Sequence, residues 1–544
     1  MPSPTPLSAV APPGPAAPAL WDDPTIYRRR WALLGVMCLS LVLVVMAVSS
    51  LNVASPTMQQ ALGATSTQLH WMIDAYAIVF AGLLLPAGAL GDRYGRKGAL
   101  LVGLGIFAVG LAVAGFADAP GQVIAGRGIM GAGSALVMPA TLSMLTAIFP
   151  PEERTKAIAT WSGFAGGGAA IGPILSGALL ENYWWGSTVL VNLPVVLLAA
   201  VVIAAMSPKS RDSHITPLDP VGAVVSVGGM VALLYGIIEG AELGWTSGRV
   251  LLAFGLAVVL LTGFVVWERR TEHPMLPMHL FADRRFSVGS GVIMLGFFSA
   301  FGVFFLSTLY MQYVLDYSTL ATGFATLPWA AAMVVAAPRS AALVDRFGIS
   351  RVIATGFVAV AVAFSLLTML DVNSPYVLLA AAFALQGAGM GVAFAPATGA
   401  IMSAVPLDKA GVGSAVNDTT RELGAALGIA VLGTIIGSAY RSSIDLSGTE
   451  LSPEAREVAR ESIGGAVGVA RDLPGPEGAA LLGQAQEAFV DAFRVTNTLS
   501  IALALAAAAG VLLAFRRRGG DEDAIASTEL ELDALDLEPA RVGA

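Results

Sequence analysis

The sequence predicts an all-α polytopic membrane protein with fourteen transmembrane helices, and three observations carry that prediction. Apolar runs of about 20 residues, the length that crosses a hydrocarbon core, recur from one end of the chain to the other. The composition is 56% hydrophobic and only 12% charged, with a mean hydropathy of +0.74, which excludes a water-soluble domain. Basic residues collect in alternate connections between the runs, as they do where loops face the cytoplasm.

Taken in order, the spans cover 31–54, 69–91, 98–117, 121–146, 157–180, 188–206, 217–240, 249–267, 286–311, 318–344, 351–370, 376–404, 410–440 and 491–515. Arg28-Arg29-Arg30 precedes the first run and places the N-terminus in the cytoplasm. That run is too long for a signal-peptide core, so no cleavable leader is expected. The inner connections carry Arg93, Arg96, Lys97, Arg154, Lys156, Lys209, Arg211, Arg269, Arg270, Arg284, Arg285, Arg346, Arg351 and Lys409. The short outer connections carry Arg249 and almost nothing else basic. An even number of spans returns the C-terminus to the cytoplasm, where Arg516-Arg517-Arg518 follows the last run.

The net charge of -8 does not signal a basic partner. Eight acids and one Arg between Asp521 and Ala544 account for -7 of it, so the charge belongs to a solvated acidic tail. Cys38 is the only cysteine, which rules out a disulfide within the chain and a cysteine metal site. His70, His214, His273 and His279 are read as lying outside the long apolar runs, so no intramembrane histidine relay is expected. No nucleophile, metal-ligand or Cys/His constellation falls at membrane depth, and the chain is not expected to be an enzyme.

Between the second and third spans stands Gly88-Ala89-Leu90-Gly91-Asp92-Arg93-Tyr94-Gly95-Arg96-Lys97. Four charges in ten residues anchor this turn in water, and its glycines let two helix ends approach closely. The stretch resembles the loop signature of the major facilitator superfamily. The resemblance implies that Asp92 meets a helix N-terminus or a basic partner that locks one access state, with Arg93, Arg96 and Lys97 completing a gate network. The bland alternative is a positive-inside anchor. A shorter copy, Leu343-Val344-Asp345-Arg346-Phe347-Gly348, follows the second span of a later block of six. Two parallel six-helix halves, with the spans at 217–240 and 249–267 inserted between them, resemble the fourteen-helix drug:proton antiporter family.

That resemblance divides the chain into a tail (1–30), a first six-helix half (31–206), a linking pair with its loops (207–285), a second half (286–515) and the acidic tail (516–544). An external segment lies at about 441–490, where Ser452-Pro453-Glu454 has the form of a helix start. It reads equally as a cover for the outer mouth or as a tolerated insertion.

Further motifs carry candidate chemistry. In the fourth span Arg127 stands among Gly126, Gly128, Gly131 and Gly133. A mid-membrane charge costs about 2.5–3.5 kcal/mol on insertion scales and needs a partner or cavity. The run resembles the family's fourth-helix motif, which implies proton transfer; the alternative is an arginine satisfied by carbonyls. In the fifth span Gly168, Gly172, Pro173 and Gly177 resemble the antiporter signature, with Ser176 where relatives often have a second glycine. Small residues four apart permit close helix contact, and Pro173 permits bending. Asn52-Val53-Ala54-Ser55-Pro56 resembles the ending of the family's first helix, although Ala47 stands where relatives hold an acid. Trp71-Met72-Ile73-Asp74-Ala75-Tyr76 resembles a second-helix motif that makes Asp74 a candidate proton carboxylate, expected to pair with Arg127.

In the thirteenth span Asp418, Arg421 and Glu422 share a helix face beside Asn417. They are either a proton-coupling cluster or a self-neutralised one. Phe297, Phe301 and Phe305 recur every four residues, as rings lining a cavity or as ordinary packing. Gln386 is a cavity candidate or an interhelical hydrogen bond. The expected function is proton-coupled export of hydrophobic small molecules from a bacterial cytoplasm, with an uptake carrier or uniporter and a non-transporting receptor as alternatives. No cofactor is expected, because the proton gradient supplies the energy. The expected partners are a small hydrophobic substrate, protons and the lipid bilayer. Nucleic acid is not among them, and the chain is expected to be a monomer.

Overall fold

Asp23 and Pro24 start the first helix ahead of the apolar run. The Asp23 carboxylate accepts from Thr25 N at 2.7 Å, and proline suits the first turn because its missing N–H would be unsatisfied there. Arg28–Arg30 is therefore helical rather than part of a tail. The computed structural model describes residues 20–208, 217–447, 449, 451–473 and 475–516. Lys209, Arg211 and the acidic tail beyond 516 lie outside the described residues.

The helices are α1 (Pro24–Leu62), α2 (Ser66–Tyr94), α3 (Arg96–Gly115), α4 (Pro120–Ile148), α5 (Pro151–Leu180), α6 (Ser187–Leu190) and α7 (Asn192–Met206). Next come α8 (Pro220–Leu243) and α9 (Gly248–Glu268), followed by α10 (Arg284–Leu309), α11 (Thr319–Ala325), α12 (Leu327–Phe347), α13 (Ile349–Leu367) and α14 (Tyr376–Ser403). The chain ends with α15 (Ala410–Ser443), α16 (Pro453–Glu461), α17 (Ile463–Asp472) and α18 (Gly475–Arg516). Among the described residues there are fourteen helical spans long and apolar enough to cross a membrane, and no strand.

α1 packs on α5 and α7, and α4 on α2 and α3. Separately, α14 packs on α12 and α13, α15 on α10, and α18 on α13 and α15. These two groups meet where α2 lies on α15 and where α5 lies on α12 and α14. The hairpin α8–α9 sits at the flank, α8 touching both α2 and α15. The two repeated turns share a backbone device: Gly95 has φ +106° and Gly348 φ +79°, values that side-chain-bearing residues rarely adopt.

The segment after α15 starts a helix at Ser452-Pro453, as its sequence indicated. It folds into α16 and α17, with Ser452 capping Ala455 N at 3.1 Å, and α18 begins at Gly475 rather than at 491. Leu481, Ala485, Ala488 and Phe489 are buried at helical spacing there. Tyr440 Oη donates to Ala459 O at 3.0 Å and Gln486 Nε2 to Tyr313 O at 3.0 Å. These bonds fasten the segment to α15 and to the turn that follows α10.

Candidate functional site

The end of α2 meets the start of α15. The first N–H groups of a helix have no intrahelical acceptor and carry partial positive charge. Asp92, 5% exposed, fills that position: its Oδ1 accepts from Gly411 N at 2.8 Å and its Oδ2 from Val412 N at 3.1 Å. The approach depends on glycine, because a Cβ on Gly88 would lie 2.8 Å from the Ala415 Cβ. Arg96 stands 3.8 Å from Asp92 and donates to Leu407 O, so it also ties the turn to the segment before α15.

Lys97 goes elsewhere. Its ammonium donates to Ala204 O and Ser207 O, both at 2.8 Å, and closes the end of α7 within its own helix group. Arg93 packs against the Tyr94 ring at 5.3 Å and lines a cavity of ≈ 120 Å³ with Asp92, Asp219, Asp408 and Lys409. In the second copy of the turn, Asp345 and Arg346 are exposed, and Arg346 lies over Phe347 at 5.2 Å.

Arg127 is 2% exposed. Its guanidinium donates to Met72 O at 3.2 Å and Ile73 O at 3.1 Å and lies over the Tyr76 ring at 4.6 Å. The expected ion pair with Asp74 is not among those formed by the described residues, and helical spacing explains why. Met72 and Tyr76 lie on the face of α2 that meets Arg127, whereas His70, Asp74 and Ile78 form the next face. With Trp71, that face lines a small cavity against Tyr235, Ile238 and Glu239 of α8. His70 is therefore inside a spanning helix, contrary to its reading from the sequence, and forms a 2.7 Å pair with Glu242.

On α15, Asp418 is 1% exposed. Its Oδ1 accepts from Asn417 Nδ2 at 3.2 Å and stands 3.6 Å from Arg421 Nη1. Oδ2 has no hydrogen-bond partner among the described residues. Asn417 in turn accepts from Thr398 at 3.1 Å. The Arg421 guanidinium lies between rings of the two helix groups, 4.8 Å from Phe297 of α10 and 5.7 Å from Trp161 of α5. Glu422 follows Arg421 on α15, which packs on both α2 and α4, the helices of the Arg127–Tyr76 pair.

The phenylalanine stripe divides. Phe297 is buried and stacks on Phe301 at 5.1 Å and Phe394 at 4.9 Å, while Phe305 is 39% exposed. Gln386 Nε2 reaches Ala300 O at 3.5 Å, an α14–α10 contact. The Asn52 side chain lies outside the described residues.

On α5, a Cβ on Gly168 would lie 2.9 Å from Val42 O, and one on Gly172 would lie 2.8 Å from Met46 O. Glycines are therefore required where α5 meets α1. Pro173 and Gly177 face α11 in the other group. Ser176, the departure from the paired-glycine form, donates to Ser50 O at 3.0 Å.

The Major Facilitator Superfamily model matches residues 37–429. The chain belongs to the major facilitator superfamily. It is 36% identical over 490 residues to the multidrug efflux pump LfrA of Mycolicibacterium smegmatis, covering 90% of this chain and 97% of that one. It is 34% identical over 490 residues to the methyl viologen resistance protein SmvA of Salmonella typhimurium, covering 89% and 98%. The tetracenomycin C resistance and export protein of Streptomyces glaucescens is 30% identical over 510 residues, covering 91% and 93%. Among solved structures, the human organic anion transporter MFSD10 superposes with a TM-score of 0.57 at 15% identity, covering 87% and 99%. That likeness concerns the fold. As a superfamily member the chain is a multi-pass membrane protein of a transporter family.

Trp161 was not singled out by sequence reasoning. A lone tryptophan ahead of a glycine-rich run was the available signal. Arg30, read only as a topology charge, forms a two-pronged pair with Glu153 at 2.7 and 2.9 Å that joins the starts of α1 and α5.

Proposed function

We propose that this protein exports hydrophobic drugs or antibiotics across the cytoplasmic membrane in exchange for protons, by alternating access. The basic-loop face is cytoplasmic, with both chain termini on that side. The latch of Asp92 on the start of α15 holds that face closed, and its release opens the path for substrate. The observation that carries the reading is the charged set joining the helix groups: buried Asp418 and half-buried Glu422 on α15, half-buried Arg421 between Trp161 and Phe297, and buried Arg127 on Tyr76. Carboxyls enclosed beside arginines change proton affinity when the enclosure changes. Rocking of one helix group against the other changes that enclosure. Asp74, facing α8, is a secondary proton group. The names of the relatives, which include drug efflux and antibiotic export, support the direction and the substrate class.

The test is a substrate-panel efflux assay in a pump-deleted bacterial host, with and without a protonophore. Export of several hydrophobic compounds that the protonophore abolishes is the expected result. Protonophore-insensitive movement supports a uniporter instead, and no movement of any compound removes the export reading.

A further inference from the structure

Two carboxyl groups meet at the basic-face end of the inserted hairpin, where neither takes part in the exchange set above. Asp219 caps α8: its Oδ1 accepts from Gly222 N at 2.8 Å, and Trp267 Nε1 donates to Oδ1 at 3.0 Å and to Oδ2 at 2.8 Å. Glu268 ends α9 and is 3% exposed. Its Oε2 accepts from Leu276 N at 3.1 Å, whereas its Oε1 has no hydrogen-bond partner among the described residues. The two side chains present oxygens to the same space over Gly222. A Cβ built on Gly222 would fall 2.7 Å from Glu268 Oε1 and against Asp219 Oδ2. Glycine is therefore the residue that leaves the two carboxyl oxygens room to face one another.

Two facing oxygens are both acceptors, and a buried acceptor without a donor is destabilising. Two ionised carboxyls in contact also repel. One proton removes both penalties, and the existing bonds determine which group carries it. Asp219 already accepts from two donors, Gly222 N and the Trp267 indole N–H that spans both of its oxygens. Glu268 Oε1 has none and is enclosed.

We propose that Glu268 and Asp219 form a proton-binding site, with the proton on Glu268 Oε1 donated to Asp219 Oδ2. The proton ties the end of α9 to the start of α8. Through Leu276 N it also holds Pro274 and Met275, which line the ≈ 120 Å³ cavity beside the Asp92 turn. The other charged groups on that cavity are Asp92 and Arg93 of α2 and Asp408 and Lys409 before α15, while Arg269, Arg270, Glu272 and His273 are solvent-facing. This site does not rest on the export reading.

The test uses the purified full chain in lipid nanodiscs without substrate, followed by infrared difference spectroscopy across a pH titration in H2O and D2O. The parent should show a protonated-carboxyl band that Glu268→Gln removes and that Asp219→Asn shifts, because the acceptor of the acid's hydrogen bond has changed. A Glu268→Gln spectrum that keeps every protonated-carboxyl band of the parent overturns the site. So does an Asp219→Asn spectrum with the band unshifted, and that comparison stands even where Glu268→Gln does not fold.

Discussion

Asp92 Oδ1 accepts a 2.8 Å hydrogen bond from Gly411 N, across 319 residues of chain and across the contact between the two helix groups. Hydrogen bonds to an ionised acceptor contribute about 1.5–3 kcal/mol each, and Asp92 makes a second one to Val412 N. Asp92→Asn replaces one acceptor oxygen with an NH2 that faces a donor. Efflux should fall at least about tenfold, the equivalent of about 1.4 kcal/mol, with expression and insertion unchanged. Asp345→Asn should be mild, because Asp345 is exposed. Equal tolerance at both positions in a resistance assay would reduce the first turn to a topology anchor.

Glycine at 88 is a condition for that latch. Gly88→Val pushes a branched side chain toward the Ala415 Cβ, 2.8 Å from where the first added carbon would sit, and parts α2 from α15. A cysteine at Leu218, which is exposed and borders the adjoining cavity, should then label faster with a charged thiol reagent in a Cys38→Ala background. An unchanged labelling rate would show that the contact is not what closes this face.

Arg127 of α4 meets the Met72–Tyr76 face of α2, whereas Asp74 lies on the next face against α8, so their substitutions should act independently. Arg127→Ala removes donors from Met72 O and Ile73 O, carbonyls that a helix already engages, and should leave folding close to that of the parent while efflux is lost. Asp74→Asn should produce a smaller, separate loss. Contacts this distinct usually give additive effects within about 0.3–0.5 kcal/mol. A double variant no worse than Arg127→Ala alone would place the two residues in one switch.

The fold was legible because fourteen apolar runs and alternating basic loops are local signals. What escaped was either amphipathic or distant. The start of α18 hides its buried Leu481, Ala485 and Phe489 among polar residues, so its hydropathy stays low until 491. The turn motif marked Asp92 as important, but nothing local names Gly411 and Val412 as its partners. His70 and Glu242 sit near the ends of two spans, where each reads as a boundary residue until the packing of α2 on α8 joins them. Asp219 and Glu268 likewise read as ordinary helix-end residues.

The orientation is directly testable. Ala282 is exposed on the basic face, and Gly468 is exposed on α17 with open space around its Cα. In the Cys38→Ala background, Ala282→Cys should react only from the cytoplasmic side and Gly468→Cys only from outside. Labelling of Ala282→Cys from outside would break the fourteen-span topology.

Asp418 and Arg421 bear most directly on energy coupling. The carboxyl is 1% exposed, with one oxygen shared by Asn417 and Arg421 and the other without a hydrogen-bond partner among the described residues. Removing one member of a buried pair costs about 3–5 kcal/mol because the remaining charge is left uncompensated. Asp418→Ala also removes the oxygen that Asn417 and Arg421 share, and would confuse misfolding with loss of coupling. Asp418→Asn keeps the shape and the contact with Asn417 while removing the titrating group. It should retain binding of a fluorescent substrate yet no longer concentrate that substrate against its gradient in energised vesicles, and Glu422→Gln should show a weaker form of the same defect. The Trp161 ring, 5.7 Å from the Arg421 guanidinium, supplies a control. Trp161→Phe keeps a ring over the cation, an interaction of about 0.5–2 kcal/mol, and should be tolerated better than Trp161→Ala. If Asp418→Asn still drives protonophore-sensitive uphill export at the parent's rate, the buried pair is structural and the proton enters elsewhere.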